Sequence, residues 1–139
     1  MITDEALIAA AAESRMRAYA PYSGFLVGAA LLAEDGSVFL GCNVENASYS
    51  ATCCAERAAF CRAVSEGHRR FCKIAVVGGP AKEPVTRFCM PCGVCRQVMR
   101  EFCREDFVVL TTDGRQTRRR TLAELLPDSF SADELGGGR

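Results

Sequence analysis

The chain has 139 residues, of which 49% are hydrophobic and 24% charged, the balance of an ordinary globular protein. This length suits one domain spanning 1–139 and is too short for two. Because 17 basic and 17 acidic side chains cancel, no overall field favours a nucleic-acid backbone or an anionic membrane. The composition therefore favours a single site for a small neutral ligand, with no nucleic-acid or membrane partner.

Local signals predict an initial helix and then alternating strands and helices. Thr3 is a good helix cap, and the acidic residues after it complement the helix dipole. The Asp35-Gly36 dipeptide between two apolar runs is typical of a β-hairpin. We predict helices at 3–19, about 53–66, about 92–104 and, as one turn, 122–126, and strands at 25–33, 37–42, 72–77, 107–110 and 115–120.

The order of these elements predicts an α/β fold with a mixed five-stranded sheet. A helix between strands 72–77 and 107–110 makes a β-α-β unit, which requires parallel strands. The Asp113-Gly114 turn is too short for a crossover, so the fifth strand pairs antiparallel with the fourth. From about 131 to 139 we expect a flexible tail, because three glycines near its end cost too much entropy to order.

Nine cysteines in a chain without a basic, apolar leader indicate a reducing, cytoplasmic location. Metal binding or catalysis explains an odd number of cysteines there better than disulfides do. Several of them lie in apolar stretches, where cysteine packs as a small hydrophobe. These are Cys42, Cys61, Cys72 and Cys103.

Two short motifs carry the chemistry. Cys54-Ala55-Glu56 and, 38 positions later, Pro91-Cys92-Gly93-Val94-Cys95 each stand where a helix is predicted to begin. One ligand two residues before a nonligand Glu, followed by Pro-Cys-x-x-Cys, is the pattern of zinc deaminases. We therefore predict Zn²⁺ bound by Cys54, Cys92 and Cys95. Cys53 and Cys89 are spare sulfurs, and a closed structural zinc would recruit one of them.

Three protein ligands leave a fourth position for water, as a catalytic zinc needs. Three thiolates also give the site negative charge, and Arg57 is the candidate to offset it. Glu56 is the candidate proton carrier, moving protons from water to a pyrimidine ring nitrogen and then to departing ammonia.

Three segments, PYSGFLVGAALL, GCNVENASYSATCCAERAAF and PCGVCRQVMREF, closely resemble the small cytidine deaminases. The resemblance extends over about residues 5–130. It implies a three-layer α/β/α fold, one zinc per subunit on three cysteines, and a homotetramer whose subunits complete one another's pockets. It also implies hydrolysis of cytidine and deoxycytidine to uridine and deoxyuridine in pyrimidine salvage, without an organic cofactor.

The resemblance further assigns substrate contacts. It implies that Asn43 and Glu45 bind the ribose, that Phe25 lines the pocket and that the backbone at Ala55 contacts the base, with Ala47 adding a backbone contact. It implies that Tyr49 reaches into a neighbouring subunit and that Phe130 stacks on the base from another subunit. Without the resemblance, Asn43 and Glu45 would be interpreted as turn residues. Phe25 and Phe130 would be interpreted as packing residues.

Three other functions compete with a nucleoside deaminase. Relatives with the same zinc motifs deaminate blasticidin S, an aminopyrimidine antibiotic. An editor of cytosine in polymers needs a basic groove and stacking aromatics, and the neutral charge and absence of Trp argue against it. A noncatalytic zinc-stabilised module is the third, and there Glu56 is dispensable.

Overall fold

The computed structural model describes residues 1–136, and its elements follow the predicted order. Helix α1 is capped by the Thr3 side chain, which accepts a hydrogen bond from the Ala6 amide. The elements are α1 (Asp4–Arg15), β1 (Phe25–Ala33), β2 (Val38–Cys42), α2 (Ala55–Ser65), β3 (Phe71–Pro80), α3 (Gly93–Phe102), β4 (Val108–Thr112), β5 (Thr117–Thr121) and α4 (Leu122–Leu125), with 3₁₀ turns at Tyr49–Ala51 and Ala132–Leu135.

The five strands form one sheet in the order β2-β1-β3-β4-β5. Only β3 and β4 run parallel, with Val76 opposite Thr111 at one end of their register. The other three pairings are antiparallel. The mixed five-stranded sheet and its β-α-β unit are therefore confirmed.

Helices cover both faces of the sheet, which makes the fold three-layered. Alternate residues of β1 point to opposite faces. Leu31 joins Phe60 of α2 and Met99 of α3 in one buried cluster, while Leu32 joins Leu7 of α1 in the other. Burial on both faces explains why β1 is apolar throughout rather than alternating.

Helix α2 lies unusually close to the sheet at its first turn. A Cβ atom on Gly41 of β2 would lie 2.3 Å from the Ala55 carbonyl oxygen and 2.6 Å from the Ala59 nitrogen. Only glycine permits this approach. The close contact fixes the start of α2, and with it Cys54, against the edge strand.

Two boundaries differ most from the sequence predictions, and the others differ by at most two residues. The first helix ends at Arg15 rather than 19, because Tyr19 pairs with the 43–45 segment instead of continuing the helix. The Tyr19 amide donates to Asn43 O at 2.9 Å, and the Glu45 amide donates to Tyr19 O at 2.8 Å. The third strand is longer than predicted, reaching Pro80.

The start of the predicted tail has a defined geometry. Ser131 is 4% exposed, and its side chain accepts a hydrogen bond from the Asp133 amide to cap the last 3₁₀ turn. Residues 137–139 lie outside the described residues. The flexible tail at about 131–139 and the single-domain extent therefore stay predictions.

Within residues 1–136, no helix has the length and hydrophobicity that a membrane crossing requires.

Candidate metal centre

Three cysteine sulfurs meet where α2 and α3 begin. Cys54 precedes the first turn of α2, Cys92 precedes α3, and Cys95 lies in the first turn of α3. The Sγ atoms of Cys54 and Cys92 are 3.8 Å apart, and those of Cys92 and Cys95 are 3.4 Å apart. All three sulfurs lie within 4.8 Å of one another, which one metal ion can bridge.

The two helix starts explain why the sulfurs suit a metal. Cys54 and Cys92 have extended backbones, and neither side chain caps its helix, so both sulfurs remain available. The unpaired amides of a first helical turn carry positive potential, which favours thiolates over thiols. Each helix thus supplies both a ligand and part of the field that keeps it deprotonated.

Hydrogen bonds divide the charge unevenly among the sulfurs. The pKa of Cys54 is lowered to about 5, because Cys95, Arg57 and Cys92 donate to its sulfur. The pKa of Cys95 is raised, because it donates to Cys54 and is buried. The cluster therefore holds at least one thiolate at neutral pH, with its negative charge centred on Cys54.

Arg57 lies beside the sulfurs, as the charge argument required. Its Nη2 atom is 3.3 Å from Cys54 Sγ and also 3.3 Å from the Thr52 carbonyl oxygen. The guanidinium is therefore held in place by the chain just before α2. Its role as the group that offsets the thiolates stays a prediction.

Glu56 is the buried acid of the site. It is 4% exposed in the first turn of α2, and burial raises the pKa of its carboxyl to about 7, with a further contribution from the negative charge on Cys54. A carboxyl that titrates near neutrality can both accept and release a proton. That property suits the proton carrier predicted from the motif.

The donor set fits a catalytic zinc ion. Thiolates are soft ligands that select zinc over magnesium or calcium. Within residues 1–136, neither spare sulfur joins the cluster: Cys53 Sγ lies 3.6 Å from the Cys54 carbonyl oxygen, and Cys89 Sγ packs toward Gly78. Three donors leave one tetrahedral position open, which a structural zinc would not.

Asn43 serves the fold through both ends of its amide. Its Oδ1 accepts a hydrogen bond from the Val27 amide and its Nδ2 donates to Phe25 O, each at 2.8 Å. The residue is 8% exposed. An amide group has one further N–H and one further lone pair to offer, so its contact with ribose stays a prediction.

Glu45 ties the segment before β1 to the loop after β2. Its carboxylate accepts hydrogen bonds from the Tyr22 amide at 3.0 Å, the Ser23 amide at 3.1 Å and the Ser23 hydroxyl. These bonds, above all the Ser23 hydroxyl, lower the pKa of Glu45. Sequence reasoning missed both partners, because it used the PYSG segment only as part of the family resemblance.

The other candidate substrate-binding residues differ in how far they are exposed to solvent. Ala55 is fully buried as the first residue of α2, whereas Ala47 is exposed in the loop after β2. The three aromatic candidates are unusually exposed, at 40% for Phe25, 77% for Tyr49 and 58% for Phe130. Their predicted roles toward a substrate or a neighbouring subunit remain predictions.

A cavity of about 700 Å³ lies elsewhere, near the carboxyl ends of α2 and α3. Two of its arginines stabilise those ends. Arg69 donates to Val64 O at 2.8 Å, and Arg100 lies 3.5 Å from Cys103 O. The cysteine cluster and the buried Glu56 lie at the opposite, amino ends of these helices. We therefore place the candidate site at the cysteine cluster and not in this cavity.

Comparisons with known proteins agree with this geometry. The family model "Cytidine and deoxycytidylate deaminase zinc-binding region" matches residues 1–111. A cytidine deaminase from Sporosarcina psychrophila is 50% identical over 94% of this chain and 93% of its own. The crystal structure of a cytidine deaminase from Burkholderia pseudomallei superposes with a TM-score of 0.84 at 48% identity, covering 93% of this chain and 100% of that one. A blasticidin-S deaminase from Bacillus cereus is 32% identical over 76% of each chain.

Proposed function

This chain belongs to the cytidine and deoxycytidylate deaminase family, and on that basis we propose that it is a zinc-dependent hydrolase of cytidine and deoxycytidine. The products are uridine or deoxyuridine and ammonia. The single observation that carries the proposal is the convergence of three cysteine sulfurs on one point, with the buried Glu56 two residues after Cys54.

Glu56 is the proton carrier of the proposed reaction. Zinc, when bound by Cys54, Cys92 and Cys95, supplies Lewis acidity that lowers the pKa of a water molecule. Glu56 accepts a proton from the attacking water and delivers it to the pyrimidine ring nitrogen. It then takes the proton of the new C4 hydroxyl and passes it to the amino group, which leaves as ammonia as the C4 carbonyl forms. Its pKa of about 7 suits both directions of transfer.

The walls of the proposed pocket are built from the start of β1 and the end of β2. Phe25 begins β1, and its carbonyl is fixed by Asn43. Glu45 lies two residues after Asn43, and its pKa is lowered from 4.5 chiefly by the Ser23 hydroxyl, so it carries a negative charge at neutral pH. We propose that Asn43 and Glu45 bind the ribose, with backbone contacts at Ala47 and Ala55 and with Phe25 against the nucleoside.

Exposed aromatic side chains support a homotetramer with shared active sites. Tyr22 and Tyr49 pack edge to face with ring centroids 6.1 Å apart, yet Tyr49 is 77% exposed. Phe130 is 58% exposed. Aromatic residues with this exposure are typical of interfaces. We propose that Tyr49 and Phe130 complete the pockets of neighbouring subunits.

A reducing compartment suits the chemistry of the chain. None of the nine cysteines, which all lie within residues 1–136, forms a disulfide. Metal-binding thiolates survive best where disulfides do not form. We propose that the enzyme acts in the cytoplasm, in pyrimidine salvage, on a small-molecule nucleoside.

Ultraviolet absorbance of the zinc-loaded protein tests the substrate assignment. Cytidine, deoxycytidine, blasticidin S and a cytosine-containing oligonucleotide are compared, with zinc measured per chain. We expect turnover of both nucleosides at one zinc per chain. Turnover restricted to blasticidin S or to the oligonucleotide would refute the nucleoside assignment, and bound zinc without any turnover would indicate a noncatalytic module.

A further inference from the structure

Polar side chains of α3 hold the segment that carries Phe130. The Gln97 Nε2 atom donates a hydrogen bond to the Phe130 carbonyl oxygen at 2.9 Å. Residues 127–130 belong to no helix or strand, so their path depends on such contacts. A further side chain of α3 holds the same stretch, because Arg100 Nε donates to Ser129 Oγ at 2.9 Å. Arg96 Nη1 holds the end of α4 just before it, donating to Leu125 O at 2.7 Å.

The geometry of α3 places this contact away from the chain's own metal centre. Successive helical residues are about 100° apart around the axis, so Gln97 lies about 200° from Cys95. Cys95 is fully buried toward the sulfur cluster, whereas Gln97 is exposed. The Phe130 carbonyl therefore lies on the outer face of α3, and the Phe130 side chain is 58% exposed.

Helix α3 thus carries two functions on two faces. Its inner face supplies Cys95, and its outer face holds Phe130. Arg96 connects the two regions, because its Nε atom also donates to the Pro91 carbonyl oxygen at 2.8 Å, next to the ligand Cys92. The helix that builds one pocket also presents an aromatic ring outward.

We propose that Gln97 is a positioning residue that acts in trans: it orients Phe130 for the pocket of a neighbouring subunit. The inference rests on the proposed function, in which the Phe130 ring stacks on the pyrimidine. Together with the Arg100 contact at Ser129, this amide-to-carbonyl hydrogen bond restrains the Phe130 backbone and hence the direction of its ring. Gln97 itself touches neither metal nor substrate.

The Gln97→Glu variant tests this, since it preserves shape but removes the donor. We expect KM for cytidine to rise about three- to tenfold, the loss expected for one hydrogen bond. We expect kcat, zinc per chain and oligomer mass to stay at wild-type values. Gln116→Glu is the matched control, because this exposed residue lies on the β4–β5 turn and its described hydrogen bonds use backbone atoms.

One single variant and one double variant test the mechanism further. Phe130→Ala should raise KM by itself, and adding Gln97→Glu to it should cause no further rise, since the group that Gln97 orients is gone. Independent effects on KM that multiply would show that Gln97 acts through something other than Phe130.

Mixed oligomers separate action in trans from action in cis. Gln97→Glu subunits assembled with a tenfold excess of inactive Glu56→Ala subunits should show wild-type KM, because neighbours supply a correctly held Phe130. Wild-type subunits assembled with an excess of the Glu56→Ala/Gln97→Glu double variant should show the raised KM. The proposal would be overturned if KM rose when Gln97→Glu is in the same subunit as the intact Glu56 and not when it is in the neighbouring subunits.

Other outcomes also decide against it. An unchanged KM in Gln97→Glu, an equal rise in Gln116→Glu, or dissociation of the oligomer would each overturn the positioning role. Failure of the proposed function is distinct, because wild-type protein would then not turn over cytidine at all.

Discussion

The guanidinium of Arg57 lies 3.3 Å from the sulfur of Cys54, and the two residues stand three positions apart across the start of one helix. This contact lowers the pKa of Cys54 together with donation from Cys95. A cation in contact with a metal-binding thiolate stabilises the deprotonated ligand and limits the negative charge of the site.

Replacing Arg57 with Gln should weaken zinc binding by about 10- to 100-fold, the usual cost of losing a group that supports a metal ligand. Competition with a chromogenic chelator measures this directly. Arg62→Gln is the control on the same helix, because among residues 1–136 its exposed side chain pairs only with Glu66, at 3.3 Å. Equal zinc affinity in both variants would show that Arg57 does not support the thiolates.

Glu56→Gln should reduce kcat by about 10²- to 10⁴-fold, because the amide cannot carry the proton. Zinc content should remain one per chain, since Glu56 is not a ligand. Absorbance change with cytidine and metal analysis are the two measurements. Glu66→Gln, at the far end of the same helix, should keep full activity. An active Glu56→Gln enzyme would contradict the assigned proton carrier.

Ser23→Ala should raise the pKa of Glu45 toward the ordinary value of 4.5, because the Ser23 hydroxyl is the largest cause of its lowering. A depressed pKa stabilises the fold above pH 4.5, and that stabilisation is lost as pH falls through the folded-state pKa. Wild type should therefore exceed the variant in thermal midpoint at pH 7, and the difference should shrink in acid. An NMR titration of the Glu45 carboxyl carbon measures the shift itself, and an unshifted Glu45 in Ser23→Ala would refute the assignment.

Gly41→Ala should destabilise the protein by about 1–3 kcal/mol, the range for overpacking. The added Cβ would lie 2.3 Å from the Ala55 carbonyl oxygen, so the start of α2 must shift. Zinc affinity should fall with stability, because Cys54 precedes that turn. Gly79→Ala is the matched control, since its nearest contacts would be 3.5 Å or longer. Denaturant unfolding and chelator competition give both quantities.

Mixing two impaired variants at a cytidine concentration far below KM tests the shared pocket. Glu56→Ala subunits retain Phe130, and Phe130→Ala subunits retain Glu56. If the aromatic ring comes from a neighbour, mixed oligomers contain some complete pockets and regain part of the cytidine turnover. Mixtures that stay as impaired as their components would place the Phe130 ring within its own subunit's site or restrict it to a structural role.

Local signals determined much of this fold from sequence alone. The Thr3 cap, the Asp35-Gly36 turn and the 113–114 turn each depend on neighbouring residues, so sequence reasoning located them within a few positions. The choice of Cys54, Cys92 and Cys95 among nine cysteines likewise followed from spacing to Glu56 and Pro91. The structure brings those three sulfurs together, because each motif stands at a helix start.

Contacts between distant segments were decided only by the tertiary structure. Tyr19 leaves the predicted helix because its backbone pairs with the 43–45 segment, 24 or more residues away. Gln97 reaches Phe130 across 33 residues, and no local pattern marks either partner. Spacing along the chain specifies turns, caps and ligand sets, because these involve neighbouring backbone groups. Which side chain completes a distant hydrogen bond depends on how the helices pack on the sheet, and that is a property of the whole core.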